Sequence, residues 1–112
     1  MLNQVVLVGR LVQDLEVKKD ENGKSVVNLT LAVPRPYKNS NGEYETDFIS
    51  CLLYNAMADN TTEYCKKGDL LGIKGRLQTR KYEENDVFKY VQEVVAEKVS
   101  FLSSNKVGVE DE

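Results

Sequence analysis

Val27, Leu29, Leu31 and Val33 alternate with Asn28 and Thr30, a period of two that suits an extended strand with one buried face and fits no helix. The same alternation recurs in Thr46 to Tyr54, where Ile49, Cys51 and Leu53 oppose Phe48, Ser50, Leu52 and Tyr54. It recurs again from Asp69 to Tyr82, where Leu71, Ile73, Gly75 and Leu77 oppose Lys74, Arg76, Gln78, Arg80 and Tyr82. A β-branched stretch from Asn3 to Val12 and a last run from Val87 to Leu102 bring the expected strands to five. Turn residues separate them. Asn22-Gly23 predicts a hairpin turn, Pro34 and Pro36 are expected to end the second strand, and Asn41-Gly42 punctuates an exposed loop or hairpin arm, RPYKNSNGEYE. EEND predicts the turn between the fourth and fifth strands.

The period changes once. Between Asn55 and Lys67, residues Met57, Thr61, Tyr64 and Cys65 fall at helical spacing, with Asn55 as the expected cap, two lysines in the last turn and Gly68 after it. The order β-β-β-α-β-β, all-β with one short helix, is the one expected of a five-stranded Greek-key OB-fold barrel, although order alone also admits other small β folds. Gly9 and Gly75, each followed by Arg-Leu, suit strands that curl tightly to close such a barrel. A chain of 112 residues accommodates one such domain, expected over 1–104, and 105–112 reads as a short acidic disordered tail.

Several function classes lose ground at once. The chain has no histidine, so every Ser/His or Cys/His catalytic arrangement is excluded, and no enzymatic activity is expected. Cys51 and Cys65 lack zinc-ligand spacing and read as reduced, buried thiols; no metal or other cofactor is expected. The best candidates for metal-dependent nuclease chemistry, Glu83, Glu84 and Asp86, sit where a solvated hairpin turn is the plainer reading. No apolar run approaches the roughly 20 residues of a membrane span, and the start lacks a basic leader, so the chain is expected to be cytoplasmic.

Net charge is −3, but it is unevenly spread. From Asn41 to Tyr64 there are five acids and no base, whereas from Cys65 to Tyr82 six bases face Asp69 alone. Lys74, Arg76 and Arg80 therefore form a basic stripe that ends at Tyr82, with Lys81 next to it in sequence, and Lys18, Lys19, Arg35 and Lys38 lie beside turns or aromatics. Tyr37, Phe48, Tyr54 and Tyr82 stand where a closed core does not need them. Exposed rings flanked by cations suit unpaired bases and their phosphates, and no recognition helix is available for a duplex groove. Single-stranded nucleic acid is thus the expected ligand. These residues do not separate DNA from RNA, because the 2′-hydroxyl leaves no trace in one sequence. An RNA-binding or primosome-type accessory OB module is the alternative, and the apolar outer face of the third strand can equally serve a protein interface.

The segments NQVVLVGRL, NLTLAVPRPYKN, NGEYETDFISCLLYN, EYCKKGD, GRLQTRKY and YVQEVVAEKVSFL together resemble bacterial-type single-stranded DNA-binding proteins, from Met1 to about Leu102. The resemblance implies an OB fold, usually a homotetramer, that coats single-stranded DNA without marked sequence preference during replication, recombination and repair, in the cytoplasm with the nucleoid. It implies stacking at Tyr37, Phe48, Tyr54 and Tyr82, and it sits with phosphate contacts at Arg10, Lys18, Lys19, Arg35, Lys38, Lys74, Arg76, Arg80 and Lys81. The family often places tryptophan at several stacking positions and this chain has none, which implies softer stacking in the same geometry. Family members also usually carry a long tail with an acidic, aromatic-containing tip that recruits replication and repair enzymes. This sequence ends in GVEDE, which leaves recruitment open.

Overall fold

A computed structural model describes residues 1–103; the expected acidic tail, 105–112, lies outside them. Among the described residues the order is β1 (Val5–Leu11), β2 (Lys18–Lys19), β3 (Ser25–Lys38), β4 (Tyr44–Tyr54), α1 (Asn55–Tyr64), β5 (Leu70–Glu84) and β6 (Val87–Ser103). β1 pairs antiparallel with β5 from Val5↔Gly75 to Arg10↔Leu70, then turns to β3 at Arg10↔Ala32 and Leu11↔Leu31. β3 pairs with β4, β5 with β6, and β4 runs parallel to β6 at Cys51↔Val94 and Leu52↔Val95. The circuit β1-β5-β6-β4-β3-β1 closes. This is the expected five-stranded OB-type barrel, with β2 as a two-residue addition on the edge of β3 that the sequence did not announce.

Both glycines sit where closure needs them. A Cβ on Gly9 would lie 2.6 Å from the Ala32 carbonyl oxygen, at the point where β1 changes partner, and one on Gly75 would collide with the Val95 carbonyl. Gly75 also follows a bulge, since Lys74 opposes Lys98 while Gly75 opposes Ala96. Inside, Leu11, Val27, Leu29, Leu31, Cys51, Leu53, Leu71, Ile73, Val94 and Ala96 form the core, the alternating residues of the strands. Each buried leucine contributes about 1.5 to 3 kcal/mol by leaving water. The thiols of Cys51 and Cys65 are free and buried; burial pushes them up to about 12 and about 11, the latter helped by Asp69, so both stay protonated near neutral pH.

Three expectations need correction. Pro34 and Pro36 do not end the second long strand: β3 runs on to Lys38, with its register against β4 shifting between Pro34 and Lys38. Its other edge pairs with β1 and β2 only before that point, so the missing N–H groups interrupt no ladder on that side. Asn55 does not cap α1. Tyr54 is the N-cap residue, no side chain caps the helix, and Asn55 itself takes φ 59. The lysines lie beyond the last turn, where the Lys66 and Lys67 amides donate to Asp69 Oδ2 and Asp14 Oδ1 and tie this turn to the loop after β1. The buried face of α1 is carried by Ala58 and Thr61, while Tyr64 is exposed and meets Phe101 edge-on.

Two hairpin arms extend from the barrel. In the β3–β4 arm, Asn39 Oδ1 accepts from the Asn41 and Glu43 amides and closes the tip at Gly42, φ 78. The β5–β6 arm turns through Asn85 and Asp86, at φ 52 and 63, between the opposed Glu84 and Val87. Two consecutive left-handed residues match the twist of the flanking strands, and Asn and Asp tolerate that conformation well.

Candidate nucleic-acid interface

Strand register assembles one outer face from four strands. On β5 the alternation carries Arg76, Gln78, Arg80 and Tyr82 to one side, opposite Val95, Glu93, Val91 and Lys89 of β6. Val95 in turn stands beside Leu52 of β4, and Phe48, Ser50 and Tyr54 share the face of Leu52 by period two. Ala32, Thr30, Asn28 and Val26 of β3 oppose Phe48, Ser50, Leu52 and Tyr54 and extend the face further. Ser50 Oγ donates to Asn28 Oδ1 across it, 2.9 Å. Leu52 is buried within this surface, whereas Phe48 is well exposed and Tyr54 and Tyr82 are partly so, 37% and 38%. A groove of about 630 Å³ over β3, lined by Gln13, Asp14, Glu16, Lys18 and Asn28, continues the surface toward β2.

The remaining candidates surround it. Tyr37 and Lys38 stand exposed on the β3–β4 arm, with Lys38 Nζ 5.7 Å from the Tyr44 ring. Arg10 donates from Nη1 to the Gly68 carbonyl, 2.9 Å, and lines a hollow with Ala32, Pro34 and Thr46. Lys18 is exposed on the edge strand and Lys19 donates to Ser25 Oγ. Lys74 lies across the bulge from the stripe, opposite Lys98. Lys81 points to the other side of its arm, with Nζ 4.1 Å from the Phe88 ring centroid, the geometry of a cation–π contact.

Comparison with known proteins gives the family. The family model for the single-strand binding protein family matches residues 2–102. The chain belongs to that family. It is 50% identical over 96% of its length to "Single-stranded DNA-binding protein 3" of Listeria innocua, of which it covers 68%. It is 52% identical over 91% of its length to the single-stranded DNA-binding protein of Halalkalibacterium halodurans, covering 61% of that protein. To "Single-stranded DNA-binding protein B" of Bacillus subtilis it is 48% identical, over 91% of each chain. This chain therefore spans about two thirds of the first two relatives and most of the third.

Within this family member, the basic candidates are not equivalent. Arg35 forms ion pairs with Glu45, 2.6 Å, and Asp47, 2.9 Å, in which all three side chains are roughly half-exposed. The hydrogen bond to Asp47 holds the guanidinium above its ordinary value and, in return, the Arg35 bond draws the Asp47 carboxyl below the usual carboxylate value although partial burial opposes it. Arg80 pairs with Glu93, Nε to Oε2 3.3 Å, and Gln78 Nε2 donates to the same oxygen at 2.7 Å. Lys18, Lys74 and Arg76, by contrast, make no ion pair among the described residues. Of the three carboxylates considered for metal chemistry, Glu84 is ion-paired to Lys89 at 2.8 Å.

Sequence reading missed Glu93 and the aromatics Tyr44, Phe88 and Tyr90, all three rings being exposed on the arms. Phe88 and Tyr90 alternate in the last strand, so period two was the available signal. Glu93 gave none: a glutamate in a strand is by default solvated, and only the fold buries it.

Proposed function

We propose that the outer face of β3, β4, β6 and β5 binds and coats single-stranded DNA without marked sequence preference. Bases stack on Tyr37, Phe48, Tyr54 and Tyr82, and phosphates follow the cations from Lys18, Lys19, Arg10, Arg35 and Lys38 to Lys74, Arg76, Arg80 and Lys81. The observation that carries this reading is the ladder register, which gives Phe48, Tyr54, Arg76, Arg80 and Tyr82 a common face although they come from two strands. The names of the relatives select DNA as the polynucleotide. A stacked base is worth about 1 to 3 kcal/mol with little preference among bases, because each offers a π-face. Chemistry on the strand is not part of this role.

The role fits protection of exposed strands during replication, recombination and repair, in the cytoplasm beside the nucleoid; no described helix is long and apolar enough to cross a membrane. A homotetramer is the assembly we favour, since Val6, Val8, Phe101 and Leu102 are exposed apolar residues on β1 and β6. Recruitment of replication and repair proteins would belong to chain beyond the barrel.

Titration of poly(dT) at two salt concentrations, read by quenching of tyrosine fluorescence, tests the reading. With about 5 phosphates neutralised, a fourfold rise in salt is expected to weaken binding about a hundredfold. Failure to bind in dilute buffer, or preference for duplex or for a matched RNA oligonucleotide, overturns it.

A further inference from the structure

Glu93 lies in the middle of β6 and is 1% exposed, yet it stands in register with Gln78 on the same outer face as the stacking candidates. Both of its oxygens are engaged: Oε2 accepts from Gln78 Nε2 at 2.7 Å and from Arg80 Nε at 3.3 Å, and Oε1 accepts from Arg80 Nη2 at 3.4 Å. Arg80 itself is half-exposed, 52%. Two of its five N–H donors are thus spent on the carboxylate and three remain for solvent or a ligand. Because Glu93 is buried, it has no route to water when a ligand arrives, and withdrawing Arg80 would strand a carboxylate in a dry site. The arginine is held at both its Nε and its Nη2.

We propose that Glu93 is a positioning residue that seats Arg80 and Gln78 on the binding face and cancels the charge of Arg80, so that Arg80 meets the strand as an oriented donor and not as a free cation. The inference rests on the single-stranded DNA reading above. It separates two properties usually tied together in a basic residue: the hydrogen bonds that position a phosphate or base edge, and the net charge that releases counterions. Arg76, two residues earlier on the same face and without an ion pair among the described residues, supplies the second property.

Salt slopes for a dT oligonucleotide distinguish the two arginines. Arg76→Gln is expected to flatten the slope by about 0.7, the share of one single-strand phosphate contact. The charge-neutral double change Arg80→Gln with Glu93→Gln is expected to leave the slope as it is while lowering affinity at each salt concentration. Glu93→Gln alone, which frees the cation, is expected to steepen the slope by about 0.7. A double variant that flattens the slope as much as Arg76→Gln, or a folded Glu93→Gln protein with an unaltered slope, overturns the proposal. A purely structural role for Glu93 would change the affinity of Glu93→Gln and leave its slope that of the unaltered protein.

A measurement on the unaltered protein decides the matter should the variants fail to fold. The Arg80 Nε proton is expected to exchange with water more slowly than that of Arg76, both with and without dT oligonucleotide, and equal exchange overturns the clamp. This readout needs no bound DNA, so failure of the single-stranded DNA reading and failure of the clamp are distinguishable.

Discussion

The two hairpin arms each carry an arginine facing acids, and they solve the same electrostatic problem in opposite ways. In the β3–β4 arm, Arg35 meets Glu45 and Asp47, whose side chains are 50% and 45% exposed. Those acids can turn to water at little cost, so a phosphate can take their place. In the β5–β6 arm, Arg80 meets Glu93, buried where the arm joins the barrel. There the acid stays, and the arginine with it. One arm has an exchangeable pair, screened by salt; the other has a fixed pair anchored in the barrel wall. Where the carboxylate sits decides the difference, since the two arginine side chains are similarly exposed, 39% and 52%.

The largest expected effect tests that contrast through stability. Arg80→Ala removes the cationic partner of a buried carboxylate and is expected to cost about 3 kcal/mol, the low end for breaking a buried pair because Gln78 still donates. Arg35→Ala, measured by the same urea melts, is expected to cost much less. Equal losses would erase the distinction between the arms. Next comes binding: Tyr82→Ala should weaken dT affinity by about 1 to 3 kcal/mol with the salt slope nearly unchanged. Tyr90→Ala, on the opposite side of the same arm, should change it by no more than about 0.5 kcal/mol. Comparable losses at both positions would mean that the strand wraps the arm instead of lying on one face.

The smallest effect concerns pH. The Arg35 hydrogen bond lowers the Asp47 carboxyl in the folded protein, so this pair stabilises the fold above the ordinary carboxylate value. That contribution is lost as pH falls through the lowered folded value. The melting temperatures of the protein and of Asp47→Asn should therefore differ near neutrality and converge in acid, with a smaller gap in high salt. A gap that persists unchanged into acid would assign the effect to shape, not charge.

Much of this molecule was legible from spacing alone. Within one strand, period two assigns each side chain to a face, and Val27, Leu29, Leu31, Cys51, Leu53, Leu71 and Ile73 are indeed the core. The exposed rings at Phe48, Tyr54 and Tyr82 were legible for the same reason, and that of Tyr37 from its place in the arm that follows Pro34 and Pro36. The misses share a cause. Pro34 and Pro36 continue a strand because the edge of β3 that faces β1 and β2 has no partner there, and Asn55 leaves the cap to Tyr54 because β4 runs straight into α1. Both depend on neighbours that local propensity does not describe.

The amino-acid order by itself determined the strands, the single change to helical period, the hairpin turns and the basic, aromatic composition of one face, because each depends on residues a few positions apart. Only the closed barrel decided which of those cations faces a buried carboxylate. Glu93 lies 13 residues from Arg80, and β5–β6 register, together with burial in the barrel wall, makes that glutamate a fixed partner. Pairing across strands follows from closure and from the exclusion of water, and neither is written in the spacing of a single segment.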